Sequence, residues 1–245
     1  MKILTTSLHI GAIKPFKIIH MADTHLAYAD MRDGERKVTL AQERLPLFPH
    51  AKEMLVAADQ LAKELDVPIV CTGDLIDFVS YQNLELAKEF ADNHDLFITA
   101  GNHEFSLYVG EAFEDAAYRN QSLDKVQAVF KNDIRQASRV MEGINFVALD
   151  NGYHLFDEGQ FTFLKEEVKK GLPIILILHI PLDQAELDRP YADAFTRTVF
   201  DYIREEPLIK AMIGGHIHED YEGVALGRIP LWTTHETSLR VFEIT

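Results

Sequence analysis

The chain has 245 residues, of which 47% are hydrophobic and 26% are charged. This balance excludes a mostly disordered chain, a collagen and a coiled-coil rod. With 24 Lys and Arg against 39 Asp and Glu, the net charge is −15. A long nucleic acid or an anionic membrane is therefore a disfavoured partner, because both attract proteins mainly through Lys and Arg. The single cysteine, Cys71, excludes an internal disulfide and a cysteine-rich zinc finger.

Short apolar runs predict β-strands along the whole chain. Residues 1–16 predict an edge strand, because Thr, Ser and His interrupt the apolar pattern. The later runs are rich in Ile, Val, Leu and Phe, which is typical of strands covered on both faces. In chain order these runs are Phe16–Ala22, Pro68–Thr72, Leu96–Ala100, Ile144–Leu149, Pro173–His179 and Ile209–Ile213.

Stretches with helical periodicity lie between the predicted strands. They are Phe48–Leu65, Leu84–Asp92, Asp124–Arg139 and Gln160–Lys170. The alternation of strands and helices predicts an α/β fold. The tail Arg228–Ile244 predicts short strands without helices, so a purely parallel sheet is not expected. No Pro-, Gly- or Ser-rich linker divides the chain, and we therefore predict one domain over residues 1–245.

Three segments interrupt the rhythm of strands and helices. They lie near residues 26–49, 105–140 and 182–207, and each follows a predicted strand end. Loops at the carboxyl ends of strands carry the sites of α/β proteins. We therefore expect these three cover segments to face a substrate.

Polar residues follow the predicted strands at the points where the strands end. In chain order the motifs are Asp23-Thr24-His25, Gly73-Asp74-Leu75-Ile76-Asp77, Gly101-Asn102-His103-Glu104, His179-Ile180-Pro181 and Gly214-Gly215-His216-Ile217-His218. Each motif is weak alone, but together they place residue types that bind metals at successive strand ends. Asp and His without Cys suit Mn, Fe, Zn, Co or Ni.

The spacing within these motifs favours a site for two metals. In an extended segment, residues i and i+2 point to the same side. Asp23 with His25, and His216 with His218, are therefore each expected to present two ligands. The two oxygens of Asp74 allow it to bridge two ions. Paired ions about 3.5–4 Å apart hold a phosphoryl group and lower the pKa of a bridging water.

The ordered series D-x-H, G-D-x-x-D, G-N-H-E, H and G-H-x-H, from Asp23 to His218, resembles that of the calcineurin-like metallophosphoesterase superfamily. The resemblance implies a four-layer αββα sandwich, in which two mixed β-sheets lie face to face with helices outside. It implies two metal ions, with Mn, Fe or Zn preferred and Co or Ni as alternatives. The implied ligands are Asp23, His25 and His218 for one ion, Asn102, His179 and His216 for the other, and Asp74 as the bridge.

The resemblance also implies how the reaction proceeds. A metal-bridging hydroxide attacks phosphorus in line. His103 is the implied catalytic histidine, which contacts the phosphate and protonates the leaving oxygen, and Asp77 is the carboxylate that orients it. Asn102 is implied to touch the substrate as well.

The residues that follow the second and third motifs help to predict the class of substrate. The protein Ser/Thr phosphatases of this superfamily carry arginines there, whereas Asp77 is followed by Phe78 and Glu104 by Phe105. This disfavours a protein phosphatase and favours a phosphodiesterase acting on a small diester or nucleotide. A phosphomonoesterase or pyrophosphatase stays an alternative, since an arginine of the cover segments would supply the missing charge; these are Arg32, Arg36, Arg119, Arg189 and Arg197.

Three further interpretations receive less support. A repair nuclease is disfavoured by the acidic charge, and a non-catalytic metal-bound scaffold is disfavoured because no motif residue is missing. A mononuclear metal hydrolase would bind one ion per chain instead of two. We expect a small phosphoester as the partner, with neither a long nucleic acid nor a membrane, and the oligomeric state stays open. Without an export signal or a membrane-spanning segment, the cytoplasm is the expected location.

Overall fold

The computed structural model describes residues 1–109, 116–189 and 193–245. The strands in this part of the chain are β1 Lys2–Leu8, β2 Phe16–Met21, β3 Ile69–Cys71, β4 Leu96–Ile98, β5 Gln136–Met141, β6 Ile144–Leu149, β7 Ile174–Ile177, β8 Ile209–Gly214, β9 Glu222–Ala225, β10 Ile229–Thr233 and β11 Ser238–Ile244. The helices are α1 Glu35–Arg44, α2 Ala51–Leu65, α3 Tyr81–Asn93, α4 Ala116–Asn120, α5 Leu123–Gln127, α6 Glu158–Val168, α7 Gln184–Leu187 and α8 Ala194–Glu205. None of these described helices combines the length and the apolar character needed to span a bilayer.

The strands form two mixed sheets, as expected. The first sheet has the order β1-β11-β2-β3-β4, in which β2, β3 and β4 are parallel and β11 is antiparallel to β2. The second has the order β5-β6-β7-β8-β10-β9, in which β6, β7, β8 and β10 run parallel. Its two outer strands, β5 and β9, are antiparallel to their neighbours. The first segment of the chain, Lys2–Leu8, lies at a sheet edge, which confirms that prediction.

Alternation of side chains along the strands separates the layers. Ile18 of β2 and Val70 of β3 pack in a core that also contains Phe146 of β6, so this core lies between the two sheets. The adjacent residues Ile19 and Cys71 point the other way and pack against α2 and α3. On the far side, α6 and α8 pack against β6 and β7. The order helix–sheet–sheet–helix is the expected αββα sandwich.

One predicted helix is wrong beyond its first turn. The periodicity of Asp124–Arg139 predicts a helix, but α5 ends at Gln127 and β5 begins at Gln136. The Asp133 carboxylate accepts the backbone N–H groups of Arg135 and Gln136, at 2.8 and 3.3 Å, and forms a turn. The residues of β5 then pair with β6 across a hairpin. This pairing satisfies their backbone groups, and the apolar period alone does not reveal it.

The predicted cover segments contain most of the remaining helices. Segment 26–49 contains α1 and two 3₁₀ turns, Met31–Asp33 and Leu45–Leu47. Segment 105–140 contains α4, α5 and the start of β5, and segment 182–207 contains α7 and α8. Residues 110–115 and 190–192 of these two segments lie outside the described residues.

The core between the sheets allows a first test. Phe146 is completely buried there, so Phe146→Ala removes a large side chain and leaves a cavity. We expect the free energy of unfolding to fall by about 3–5 kcal/mol, measured by urea denaturation. Val140→Ala is the control, because Val140 is 47% exposed and should lose only about 0.5 kcal/mol. Equal losses in the two variants would contradict the central role of this core.

Candidate metal centre

Polar side chains that follow five strands meet at one end of the sandwich. Asp23 follows β2, Asp74 follows β3, Asn102 follows β4, His179 follows β7 and His216 follows β8. Ligand atoms of the acidic and histidine residues form three groups, and within each group these atoms lie no more than 4.8 Å apart. The groups are Asp23–His25–His218, Asp74–His179–His216 and His25–Asp74–His103. The structure thus brings together the residues predicted to bind two metals.

The first group is centred on two imidazole nitrogens. Nε2 of His25 lies 3.2 Å from Nε2 of His218, which is 3.8 Å from Oδ1 of Asp23. The other ring nitrogen of His25, Nδ1, lies 3.0 Å from Oδ1 of Asp77. Since an ionised carboxylate only accepts, Nδ1 is the donor, and the neutral ring then directs its Nε2 lone pair into the group. A histidine that binds a metal is held in this way.

The second group contains the amide of Asn102. Its Oδ1 lies 3.0 Å from Nε2 of His179 and 3.1 Å from Nδ1 of His216. Nε2 of His179 also lies 3.1 Å from Oδ2 of Asp74. His179 donates from Nδ1 to the carbonyl oxygen of Thr72 at 2.8 Å, so its Nε2 lone pair faces these two oxygens in the neutral form.

These donors fit two cations. Oδ2 of Asp74 is 3.1 Å from Nε2 of His179 and 3.7 Å from Nε2 of His25, so this carboxylate lies between the two groups. Lone pairs that face each other at such distances repel unless a proton or a cation lies between them. Imidazole, carboxylate and amide donors without a thiolate suit divalent first-row transition metals.

The electrostatics of the buried groups are consistent with bound cations. Burial raises the pKa of Asp23 to about 8, and burial lowers the pKa of His216 to about 3. Burial would also lower the pKa of His179, but Asp74 and Asp23 raise it to about 10. Without a metal, protons must therefore compensate the buried carboxylates. Metal ions in the site would replace these protons, because they favour deprotonated ligands.

The backbone at the ligands is left-handed. Positive φ angles between 51° and 70° occur at five of them, namely Asp23, His25, Asp74, His216 and His218. Such a conformation in a non-glycine residue costs about 1–3 kcal/mol and persists where the surroundings enforce it. The prediction that an extended backbone orients Asp23 with His25 is therefore wrong in its reason. Left-handed residues, and not strand alternation, direct these pairs.

Two glycines permit the close approach of the second and third motifs. A Cβ atom on Gly101 would lie 2.2 Å from Oδ1 of Asp74, and one on Gly73 would lie 2.4 Å from the backbone nitrogen of Gly101. Gly73 also has a φ of 96°. Any larger residue at either position would push Asp74 away from the site.

Glu104 joins the same two motifs through its carboxylate. It accepts the backbone N–H groups of Asp74, Leu75 and Gly101, each at 2.7 Å. Burial raises the pKa of Glu104 to about 7, and the charge of Asp74 adds to this shift. Through its three short hydrogen bonds, the Glu104 carboxylate holds the loop that carries Asp74.

His103 and Asp77, the predicted catalytic pair, are in contact. Nδ1 of His103 lies 2.8 Å from the carbonyl oxygen of Asp77 and 3.2 Å from its Oδ1. The backbone N–H of His103 donates to Oδ1 of Asp74 at 2.8 Å. Burial alone would lower the pKa of His103, but Asp74 and Asp77 raise it to about 9. Asp77 also holds His25, so one carboxylate supports both a predicted ligand and the predicted acid.

Two residues of the first cover segment contact the site, although no sequence motif predicts that they do. The Arg44 guanidinium donates from Nε to Oδ2 of Asp77 at 2.7 Å and from Nη2 to Oδ1 at 2.8 Å. The ring of Phe48 stacks on His25, with centroids 4.1 Å apart and an interplanar angle of 15°. Neither residue belongs to a motif, so the sequence predicted only that their segment faces the site.

A third unpredicted neighbour lies on the other side of the site. The ring of His154 lies 5.8 Å from that of His216, and its Nδ1 is 3.0 Å from Oε2 of Glu186. Arg189 donates to the same Glu186 oxygen at 3.0 Å. His154 belongs to no motif of the series, and its position next to a predicted ligand depends on the tertiary fold.

The cover-segment arginines considered as phosphate ligands have other partners. Arg32 pairs with Asp30 and Glu85, and Arg119 pairs with Asp150. Arg189 pairs with Glu186, and Arg197 donates to a backbone carbonyl. The guanidinium of Arg36 lies 3.6 Å from the ring centroid of Tyr108.

The profile of the calcineurin-like phosphoesterase family matches residues 16–220 of this sequence. The chain belongs to this family. It is a metal-dependent phosphoester hydrolase of a family that uses a dinuclear metal centre, and the His and Asp groups described above could hold metal ions. No curated protein matches the sequence of this calcineurin-like phosphoesterase.

Solved structures show the same fold at low sequence identity. A dimetal phosphatase from Danio rerio is 16% identical, and the alignment covers 92% of this chain and 88% of that protein with a TM-score of 0.57. A purple acid phosphatase from yellow lupin seeds is 14% identical, with 94% of this chain and 44% of that protein covered and a TM-score of 0.55. These similarities concern the fold alone.

The hydrogen bonds of Glu104 lead to a second test. In Glu104→Gln, an amide N–H must face backbone N–H groups, so at least one short bond is lost. We expect the free energy of unfolding to fall by about 1–3 kcal/mol and the metal content to decrease, because Asp74 loses its support. Glu166→Gln is the control, since Glu166 is exposed and pairs only with Lys169 among the described residues. Unchanged stability and metal content in Glu104→Gln would show that Glu104 does not hold the loop.

Proposed function

We propose that this calcineurin-like phosphoesterase is a phosphodiesterase that acts on a small diester or nucleotide. The residues after the second and third motifs carry this proposal. Protein phosphatases of the family carry an arginine just after the second motif and another soon after the third, whereas this chain has the completely buried Phe78 and Phe105 after these motifs and no arginine there. A diester carries one negative charge at phosphorus, whereas a monoester carries up to two. A site with fewer positively charged side chains is therefore better suited to a diester.

The predicted ligands divide between two ions. Asp23, His25 and His218 would hold one, and Asn102, His179 and His216 would hold the other, with Asp74 between them. We propose Mn, Fe or Zn, because the donors are nitrogen and oxygen only. Two such ions, when bound, hold phosphoryl oxygens and supply an activated water.

His103 is the proposed general acid. The carbonyl oxygen of Asp77 only accepts, so Nδ1 of His103 is its donor and the orientation of the ring is fixed. The protonated ring can then donate from Nε2 to the leaving oxygen as the phosphorus–oxygen bond breaks. Its side chain is 12% exposed, so it lies where the buried centre reaches the surface. Asn102, next to it in the chain, is proposed to contact the same substrate.

A phosphomonoesterase or pyrophosphatase is the second candidate. Arg44 brings a permanent positive charge next to the carboxylate of Asp77, and such a charge would help to hold a more highly charged phosphate. The pair with Asp77 already neutralises it, which is why we favour the diester. The net charge of −15 supports a small substrate in both cases, since a long nucleic acid would meet repulsion around the site.

The substrate class can be tested with two chromogenic esters. We expect Mn-loaded protein to hydrolyse bis-p-nitrophenyl phosphate faster than p-nitrophenyl phosphate, measured as kcat/KM. A higher kcat/KM for the monoester would overturn the argument from Phe78 and Phe105. It would favour the second candidate.

Two variants test the assigned roles. We expect His103→Ala to keep its metals and to lose about 10²–10⁴-fold in kcat, because it removes the proton donor. Asp74→Ala should lose metal as well as activity, because it removes the carboxylate between the two groups. Hydrolysis by His103→Ala at the parent rate would show that the acid is assigned wrongly.

The metal content of purified protein tests the centre itself. We expect close to two metal ions per chain by mass spectrometry after loading, and loss of hydrolysis after treatment with a chelator. Re-addition of Mn should restore activity. A stoichiometry close to one would instead support a mononuclear hydrolase.

A further inference from the structure

The carboxylate of Asp77 has more partners than an acid-orienting carboxylate needs. It is completely buried, and its Oδ1 lies 3.0 Å from Nδ1 of His25 and 3.2 Å from Nδ1 of His103. Both of its oxygens accept from Arg44, at 2.7 and 2.8 Å. A single buried group therefore joins a metal ligand, the proposed general acid and an arginine from a different segment.

The charge of Arg44 is what makes this arrangement stable. A carboxylate removed from water is strongly destabilised unless it is paired and hydrogen-bonded. Both imidazoles face Oδ1 of Asp77, and Arg44 is the group that donates to Oδ2. Arg44 supplies a permanent charge and a planar fork that matches both carboxylate oxygens. Arg44 thereby fixes both oxygens of Asp77, while Oδ1 faces the Nδ1 atoms of His25 and His103.

The segment that carries Arg44 contacts His25 a second time. Arg44 is the last residue of α1, and the 3₁₀ turn Leu45–Leu47, which contains Pro46, leads directly to Phe48. The ring of Phe48 covers one face of His25. His25 is therefore held at its Nδ1 edge through Asp77 and on its ring face by Phe48.

We propose that Arg44 is a positioning residue, which acts through Asp77 to orient both the metal ligand His25 and the general acid His103. The part that concerns His103 rests on the proposed function. The part that concerns His25 requires only a metal ion in the first ligand group. Neither part requires Arg44 to touch the substrate.

Removal of the guanidinium should affect the two sides of the site differently. In Arg44→Gln the fork is lost, and Asp77 is no longer held in the orientation in which its Oδ1 faces both imidazoles. Loss of a group that supports a ligand typically costs about 10–100-fold in metal affinity or activity. We expect losses of this size in kcat and in the affinity of the ion held by Asp23, His25 and His218, while KM changes by less than about twofold. The ion held by Asn102, His179 and His216 should be retained.

The experiment compares Arg44→Gln and Arg44→Lys with a matched control. Arg139→Gln removes an equally bidentate pair, in which Arg139 donates to both oxygens of Asp95 at 2.5 Å. Asp95 precedes β4, whereas Asn102 follows this strand, so the control pair lies at its opposite end. Each variant is titrated with Mn or Zn by calorimetry and assayed on bis-p-nitrophenyl phosphate. Thermal unfolding confirms that the variants are folded.

Rescue distinguishes positioning from a general loss of stability. We expect millimolar guanidinium to restore part of the kcat of Arg44→Gln, since the free ion can occupy the space beside Asp77. Arg44→Lys should give an intermediate kcat, because an ammonium keeps the charge but not the fork. Arg139→Gln should keep the parent kcat and metal affinity. Should Arg44→Gln fail to fold, Arg44→Lys carries the same comparison.

Three results would overturn the proposal. An increased KM with an unchanged kcat would make Arg44 a substrate-binding residue. Unchanged kcat and metal affinity in Arg44→Gln would leave it without a role in the site, and equal losses in Arg139→Gln would reduce its role to stability. If the parent protein hydrolyses no phosphoester, the proposed function fails, but the metal titration still tests the action of Arg44 on His25.

Discussion

The close approach of the loops after β3 and β4 is the constraint on which the rest of the site depends. It places Oδ1 of Asp74 so near the backbone of Gly101 that no Cβ atom fits between them. Glu104 then binds both loops through backbone N–H groups. With Asp74 held there, its other oxygen lies between the two groups of histidines. The position of Asp74 between the two groups therefore follows from the contacts that hold the two loops together.

This arrangement is costly, and the sandwich around it supplies the stability. Five of the seven predicted ligands lie in left-handed conformations, and the site buries several ionisable groups in one small volume. Each feature destabilises the folded chain without metal. Two apolar cores, each between one sheet and the helices that cover it, and a third core between the two sheets offset these costs. The candidate site of this chain thus lies at the ends of strands that are themselves largely buried.

The predictions from sequence were accurate where local chemistry decided the structure. The apolar runs located the central strands to within about two residues, because a strand buried on both faces needs uninterrupted apolar side chains. The Asp and His motifs were found because their residue types are unusual at the end of an apolar run. The helix over Asp124–Arg139 was wrong beyond Gln127, because the turn at Asp133 and the pairing of β5 with β6 outweigh local periodicity. Arg44, Phe48 and His154 were missed, since each reaches the site from a segment without a motif.

The amino-acid sequence alone determined the class of fold, the family motifs and the nature of the metal donors. These depend on residue type and order along the chain, which are visible without coordinates. Only the tertiary structure decided that the five strand ends meet, that left-handed residues orient the ligands, and that Asp77 serves His25, His103 and Arg44 together. The contacts among these residues join positions that lie 26 to 193 apart in the chain. Such contacts depend on how the two sheets and their cover segments pack, and no local pattern encodes them.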